Sequence, residues 1–173
     1  AYDKGSIFLS QLQYVIGKEN FDNTLKRYFD DWSFKHPKPI DFIRSAEKVS
    51  GLELDWYLLD WAQSTMTIDY SVNSLYGIDN KTRVVLKRIG QMGMPIDLRI
   101  ELISGETLDY NIPMTKMRGS KPVGSSTLLK SWSWAKPYYE MWLDVDSKNI
   151  SKITIDPKNE MADVNRKNNY LVF

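Results

Sequence analysis

The 173-residue chain contains no cysteine and a single histidine, His36. The first absence excludes disulfides, thiol nucleophiles and thiolate metal sites together. The second bears on metal chemistry, because a catalytic zinc usually takes three protein ligands, most often including two histidines. No His-Glu-x-x-His segment occurs, so the chain cannot build that kind of zinc site by itself. An excess of one charge is also missing. Lys and Arg number 23 against 22 Asp and Glu, a net charge of +1. That balance gives no electrostatic case for nucleic acid or an anionic membrane as partner. No apolar run approaches the roughly 18–20 residues that cross a bilayer. No basic stretch leads into an apolar one at the start, which is Ala1 and reads as the start of a processed or truncated chain. The composition leaves the compartment open.

What is present is a hydrophobic share of 42%, which excludes a disordered chain and suits one domain or two small ones. The apolar period changes along the sequence. From Tyr2 to about Thr65 it is helical. Ile7, Phe8, Leu12, Val15 and Ile16 form one stripe, stopped by Gly17. Phe21, Leu25, Tyr28, Phe29 and Trp32 form a second, broken by the prolines at 37 and 39. A third helix is expected over about 40–50 and a fourth over about 53–63. From about Ile68 the period becomes two. Ile96, Leu98, Ile100 and Leu102 alternate with charged residues, and Ser104-Gly105 reads as a two-residue hairpin turn before Leu108, Tyr110 and Ile112. Further strands are expected at about 68–76, 82–89, 138–145 and 150–156, with a long irregular loop over 114–136. The expected architecture is α+β: an N-terminal helical piece, residues 1–66, and an antiparallel β-sandwich, residues 67–173.

Chemistry is suggested at one place. Tyr2-Asp3-Lys4-Gly5-Ser6 opens the first helix, and a tyrosine there can donate a hydrogen bond to an oxyanion in a neighbouring cleft. Tyr-x-Lys-Gly resembles the helix start of the gluzincin zinc aminopeptidases, the aminopeptidase N family. The sequel is similar too: Ile16-Gly17, Phe21 with Tyr28, Trp32-Ser33-Phe34-Lys35-His36-Pro37, Asp41-Phe42, Ser50-Gly51, Leu54, Trp56 and Trp61. Met94-Pro95-Ile96-Asp97, Ile155-Asp156-Pro157 and the segment from Asp163 to Asn169 look like the sandwich and tail of its bacterial members. The resemblance implies that residues 1–66 are the end of a thermolysin-like catalytic domain. It further implies that Tyr2 stabilises a tetrahedral oxyanion beside zinc, and that the substrates are peptides losing N-terminal residues. It places the zinc ligands, the catalytic glutamate and the segment gripping the substrate's amino terminus upstream of Tyr2. The chain alone is therefore expected to be inactive and to hold no zinc. A bacterial periplasmic or cell-envelope location is implied by resemblance only.

Other residues have plainer readings. Asp3 and Lys4 suit the first turn of a helix, and Gly5 could serve close packing. His36 reads as a loop residue. Asp30, Asp31, Asp55 and Asp60 fit solvated helix faces. Trp132, Trp134, Tyr138, Tyr139 and Trp142 could stack sugars or peptides, but alternation puts Trp132 and Trp134 together on an inner face. Lys116, Arg118 and Lys121 read as a flexible surface loop. The rival to the peptidase reading is a non-enzymatic binding or scaffolding module of the same fold. Helices belonging to a larger catalytic domain should expose an apolar face, through which the chain could self-associate.

Overall fold

The computed structural model describes residues 2–173, with side chains from Asp3 onward. The helices are α1 (Tyr2–Ile16), α2 (Lys18–Trp32), α3 (Pro39–Ser50) and α4 (Asp55–Gln63). Gly17 alone joins α1 to α2, at φ 85, a conformation that strains any residue with a Cβ. Pro39 starts α3 at its first position, and the Lys38 N–H donates to the Asp41 carboxylate at 2.7 Å. Gly51 ends α3 in the left-handed region. Around Tyr57 the helices share a core. Its ring lies 5.0 Å from Phe8, 5.5 Å from Trp56 and 5.9 Å from Trp61. Its hydroxyl donates to the Phe8 carbonyl at 2.6 Å, so the one polar atom of this buried side chain is satisfied.

The strands are β1 (Tyr70–Ile78), β2 (Lys81–Arg88), β3 (Ile96–Leu102), β4 (Thr107–Ile112), β5 (Thr127–Leu128), β6 (Tyr138–Leu143), β7 (Ile150–Ile155) and β8 (Tyr170–Val172). They form a three-stranded sheet, β1-β2-β6, and a five-stranded one, β5-β4-β3-β7-β8. The α+β expectation holds. Pairing is antiparallel except for the two-residue β5, which runs parallel to β4. Asp79 and Asn80, both at positive φ, make the tight β1–β2 turn. The β3–β4 turn corrects the sequence reading. Residues 103–106 make a four-residue connection, not a two-residue one, closed by the Leu102 N–H on the Glu106 carbonyl at 2.9 Å. Gly105, at φ 88, supplies the left-handed residue that such a longer loop needs.

Helices and sheets share one continuous apolar cluster, running from Leu12, Val15 and Ile16 to Ile96, Leu98, Ile100 and Ile153. Where α1 meets the sandwich, polar groups cross this core. Gln11, 2% exposed, donates to the Glu160 carbonyl at 2.8 Å and accepts from the Ala162 N–H at 2.9 Å. One turn on, the Tyr14 hydroxyl accepts the Asp97 N–H at 3.1 Å. Burial pushes that phenol well above its usual range. Lys121 closes the seam. Its ammonium lies 2.6 Å from Asp97, donates to the Tyr14 carbonyl at 3.1 Å, and sits 4.2 Å from the centre of the Tyr14 ring. Asn111 donates to the other Asp97 oxygen at 2.7 Å. The expectation of a flexible cationic loop is thus corrected for Lys121, whose partner Asp97 is non-local and invisible in the loop's own sequence.

Next to the seam, Asp156 adopts φ 52. Its carboxylate accepts the N–H groups of Glu160 at 2.9 Å and Met161 at 2.8 Å, which curls the chain back toward Gln11. Burial pushes its pKa up to about 6, against the opposing pull of those two N–H donors.

Two predictions follow from this seam. Lys121→Met leaves the Asp97 carboxylate without its cation. It should cost about 3 kcal/mol in urea unfolding, with much of the loss recovered by the double variant Lys121→Met, Asp97→Asn. Asp156 has a folded pKa above its ordinary value of 3.8. Its contribution to stability is therefore fully present below about pH 4 and is lost as pH rises through about 6, by about 3 kcal/mol in all. Asparagine tolerates the left-handed backbone and does not titrate. Unfolding of Asp156→Asn at a series of pH values should lack this pH 4–6 component; an identical slope in both proteins would refute the assignment.

Candidate functional site

The first turn of α1 is held from the far end of the helical piece. Lys4 donates to the Ser64 carbonyl at 3.3 Å, just past the end of α4. Ser64 in turn donates through its hydroxyl to the Asp60 carbonyl and accepts the Met66 N–H at 3.3 Å. The plain first-turn reading of Lys4 gains a role here: it ties the start of α1 to the exit of α4. The close packing considered for Gly5 is absent, since nothing lies within 4 Å of the position its Cβ would take. Tyr2 is the first helical residue, and its side chain lies outside the described residues.

Beyond Ser64 opens a cavity of about 410 Å³ between the end of α4 and the sandwich. Asp60 and Met66 line it from the helical side; Arg88, Gly93, Met114, Lys116 and Trp134 line it from the sandwich. The Arg88 guanidinium donates to the Trp134 carbonyl, and the Lys116 ammonium sits 4.8 Å from the centre of the Trp134 ring. Among the described residues, neither cation lies within ion-pair distance of a carboxylate. Asp60 is half-buried at this cavity, not on a solvated face as its helical spacing suggested. Burial raises its carboxyl pKa, and the fields of Lys116 and Arg88 oppose the rise.

A second cleft, of about 420 Å³, lies between α1 and the five-stranded sheet. Four of its charges are matched in two pairs, while Asp156, Lys158 and Glu160 line it without an ion pair among the described residues. Lys121 is held by Asp97, and Arg99 grips Asp109 through two hydrogen bonds of 2.7 and 2.9 Å. The two hydrogen bonds from Arg99 hold the Asp109 carboxyl below its ordinary range, against the opposing effect of burial.

The residues present do not fit a catalytic zinc. His36 is exposed in the loop between α2 and α3, with no second imidazole in the chain. Among the described residues, the carboxylates of Glu47, Glu53 and Asp55 lie within 4.8 Å of one another. They offer only hard oxygen ligands, and Glu47 already accepts the Leu54 N–H at 2.8 Å.

The aromatic cluster divides. Trp132 is buried, and its indole donates to the Lys136 carbonyl at 2.9 Å. Trp134 is 54% exposed at the mouth of the first cavity, which corrects the expectation that both tryptophans face inward. Alternation does not apply because this segment is no strand: only a single bridge, Met114 to Trp132, pairs it. Tyr138 and Trp142 point outward from β6. The grouping of Asp60, Arg88, Lys116 and Trp134 carried no signal in spacing; only tertiary folding unites them.

No curated protein matches the chain. Residues 1–61, which run from the start of α1 through α4 as far as Trp61, match the model of the Peptidase family M1 domain. The match supports a relation of the helical part to this metallopeptidase family and leaves the sandwich outside it.

Proposed function

We propose that the chain is part of a zinc metalloaminopeptidase that removes N-terminal residues from peptides. In this reading residues 1–66 end its catalytic domain and residues 67–173 form a sandwich domain behind it. The observation that carries the reading is the family match over residues 1–61, which takes in α1 to α3 and most of α4. The bound zinc would activate the attacking water, with ligands and general base contributed from outside these residues. This chain's own contribution is Tyr2, whose phenol donates a hydrogen bond to the oxyanion as the scissile carbonyl becomes tetrahedral. Two features bear on how Tyr2 would be held. The first turn of α1 is tied by Lys4 to Ser64, and the body of α1 is fixed to the sandwich by Gln11 and Tyr14.

The outward side chains of the helices agree with a larger domain. Ile7, Leu9, Leu25, Phe29 and Leu59 are between 39% and 68% exposed. Apolar side chains placed outward on three helices suit cover by further protein. In the longer protein that cover would be the rest of the catalytic domain; in the isolated chain it would be a second copy.

In a longer polypeptide that includes the His-Glu-x-x-His segment, amino-acid anilides should be hydrolysed. There Tyr2→Phe should lower kcat about 100- to 1,000-fold with little change in KM. Hydrolysis or stoichiometric zinc binding by the 173-residue chain alone would sink the reading, as would an unchanged kcat in the variant. Sedimentation velocity should show concentration-dependent association of the chain, shifted toward monomer by Phe29→Glu. A monomer at all concentrations would argue for a self-sufficient module instead.

A further inference from the structure

We infer that the cavity between the end of α4 and the sandwich binds the C-terminal carboxylate of a short peptide. This rests on the peptidase reading for its choice of a peptide, and on the cavity's own chemistry for its choice of a carboxylate. Arg88 is held in place by one hydrogen bond to the Trp134 carbonyl. A guanidinium has five N–H donors, so others stay available to a carboxylate in the bidentate geometry that arginine favours. Lys116 is positioned over the Trp134 ring, at the same cavity wall. With Asp60 opposite, the lining carries two cations and one carboxylate. That balance suits a monoanion better than a doubly charged phosphate.

The remaining lining suits the residue attached to that carboxylate. Met66, Met114 and Trp134 give apolar and adaptable walls. Gly93 keeps the floor open beside the cations, since a Cβ there would stand 2.8 Å from the Met114 sulfur and 3.4 Å from an Arg88 nitrogen. The volume, about 410 Å³, is that of a small-ligand pocket. Its helical wall, Asp60 and Met66, flanks Ser64, whose carbonyl accepts from Lys4 in the first turn of α1. A peptide lying along that turn would thus direct its far end toward Arg88 and Lys116, and the parent enzyme would favour short peptides with a free C-terminus.

The test titrates the 173-residue chain with trialanine and with trialanine amide, followed by calorimetry or by amide chemical shifts. The free acid should bind at least about tenfold more tightly than the amide. Lys116→Gln should abolish that difference, whereas Lys116→Arg should retain it. Asp60→Asn, which removes the opposing charge, should tighten the free acid severalfold, an effect that a merely structural role for these residues would not produce. Equal binding of acid and amide, binding of neither at millimolar concentration, or binding of inorganic phosphate as tight as that of the free acid would overturn the inference. Anilide hydrolysis by the longer polypeptide needs no substrate carboxylate. Loss of the acid–amide difference with hydrolysis intact therefore refutes this site alone, and the converse refutes the peptidase reading alone.

Discussion

The structure depends on a buried polar seam between α1 and the sandwich. A helix laid across the end of a sheet must either present an uninterrupted apolar face or find a partner for every polar atom it buries. Here the second solution is used. Gln11 spends both ends of its amide on the backbone at Glu160 and Ala162, and Tyr14 takes the Asp97 N–H. These are directional contacts between segments far apart in sequence. Apolar packing around Leu12, Val15 and Ile16 supplies the bulk of the attraction, while the seam fixes one orientation of α1 among the many that packing alone would allow. The curl of chain after Asp156 exists to present those backbone groups to Gln11.

The same logic separates the two cavities. Beside the seam, both cations nearest α1 and the sheet, Lys121 and Arg99, meet a carboxylate within hydrogen-bonding distance and are neutralised by it. At the α4 exit, two cations face open volume and are held by a carbonyl and a ring face rather than by carboxylates. Charge without a matching partner is costly to keep in a partly desolvated place unless something else compensates it. Asp60 answers part of that need from across the cavity, at the cost of its own hydration, which is why its carboxyl titrates above its ordinary range.

Much of the architecture was legible because it rests on local periods. The stripes beginning at Ile7 and Phe21 give α1 and α2, and the alternation of Ile96 to Leu102 gives β3. The helix stop at Gly17 was readable because glycine is suited to the positive φ that position adopts. The misreadings concern short local elements, such as the β3–β4 turn, and tertiary placement. The two-residue β5 and the three-residue β8 are too short to alternate. Trp134 took an outward place because its segment is held by one bridge instead of a ladder. Lys121 gained a half-buried partner 24 residues away in sequence, which loop composition could not indicate. Asp60 looked solvated because a helical wheel does not show what packs beyond the helix end.

The family match and the seam bear on each other. The match ends at Trp61, inside α4, yet α1 is bonded to the sandwich as well as to α4. The orientation of α1 is therefore not set by the helical piece alone: loosening Asp97, Lys121 or the Asp156 curl would relax how α1 is oriented on the sandwich, while apolar packing still holds it. On the proposed reading, this gives the sandwich a catalytic consequence without a catalytic residue. An oxyanion donor is effective only where it is held close to the position the charge will take, and small displacements cost large factors in rate. Tyr2 stands at the outer end of a helix whose inner turns are clamped by Gln11 and Tyr14 and whose first turn makes one exposed hydrogen bond through Lys4. The sandwich would then serve as the rigid backing that keeps one phenol in register with chemistry supplied from elsewhere.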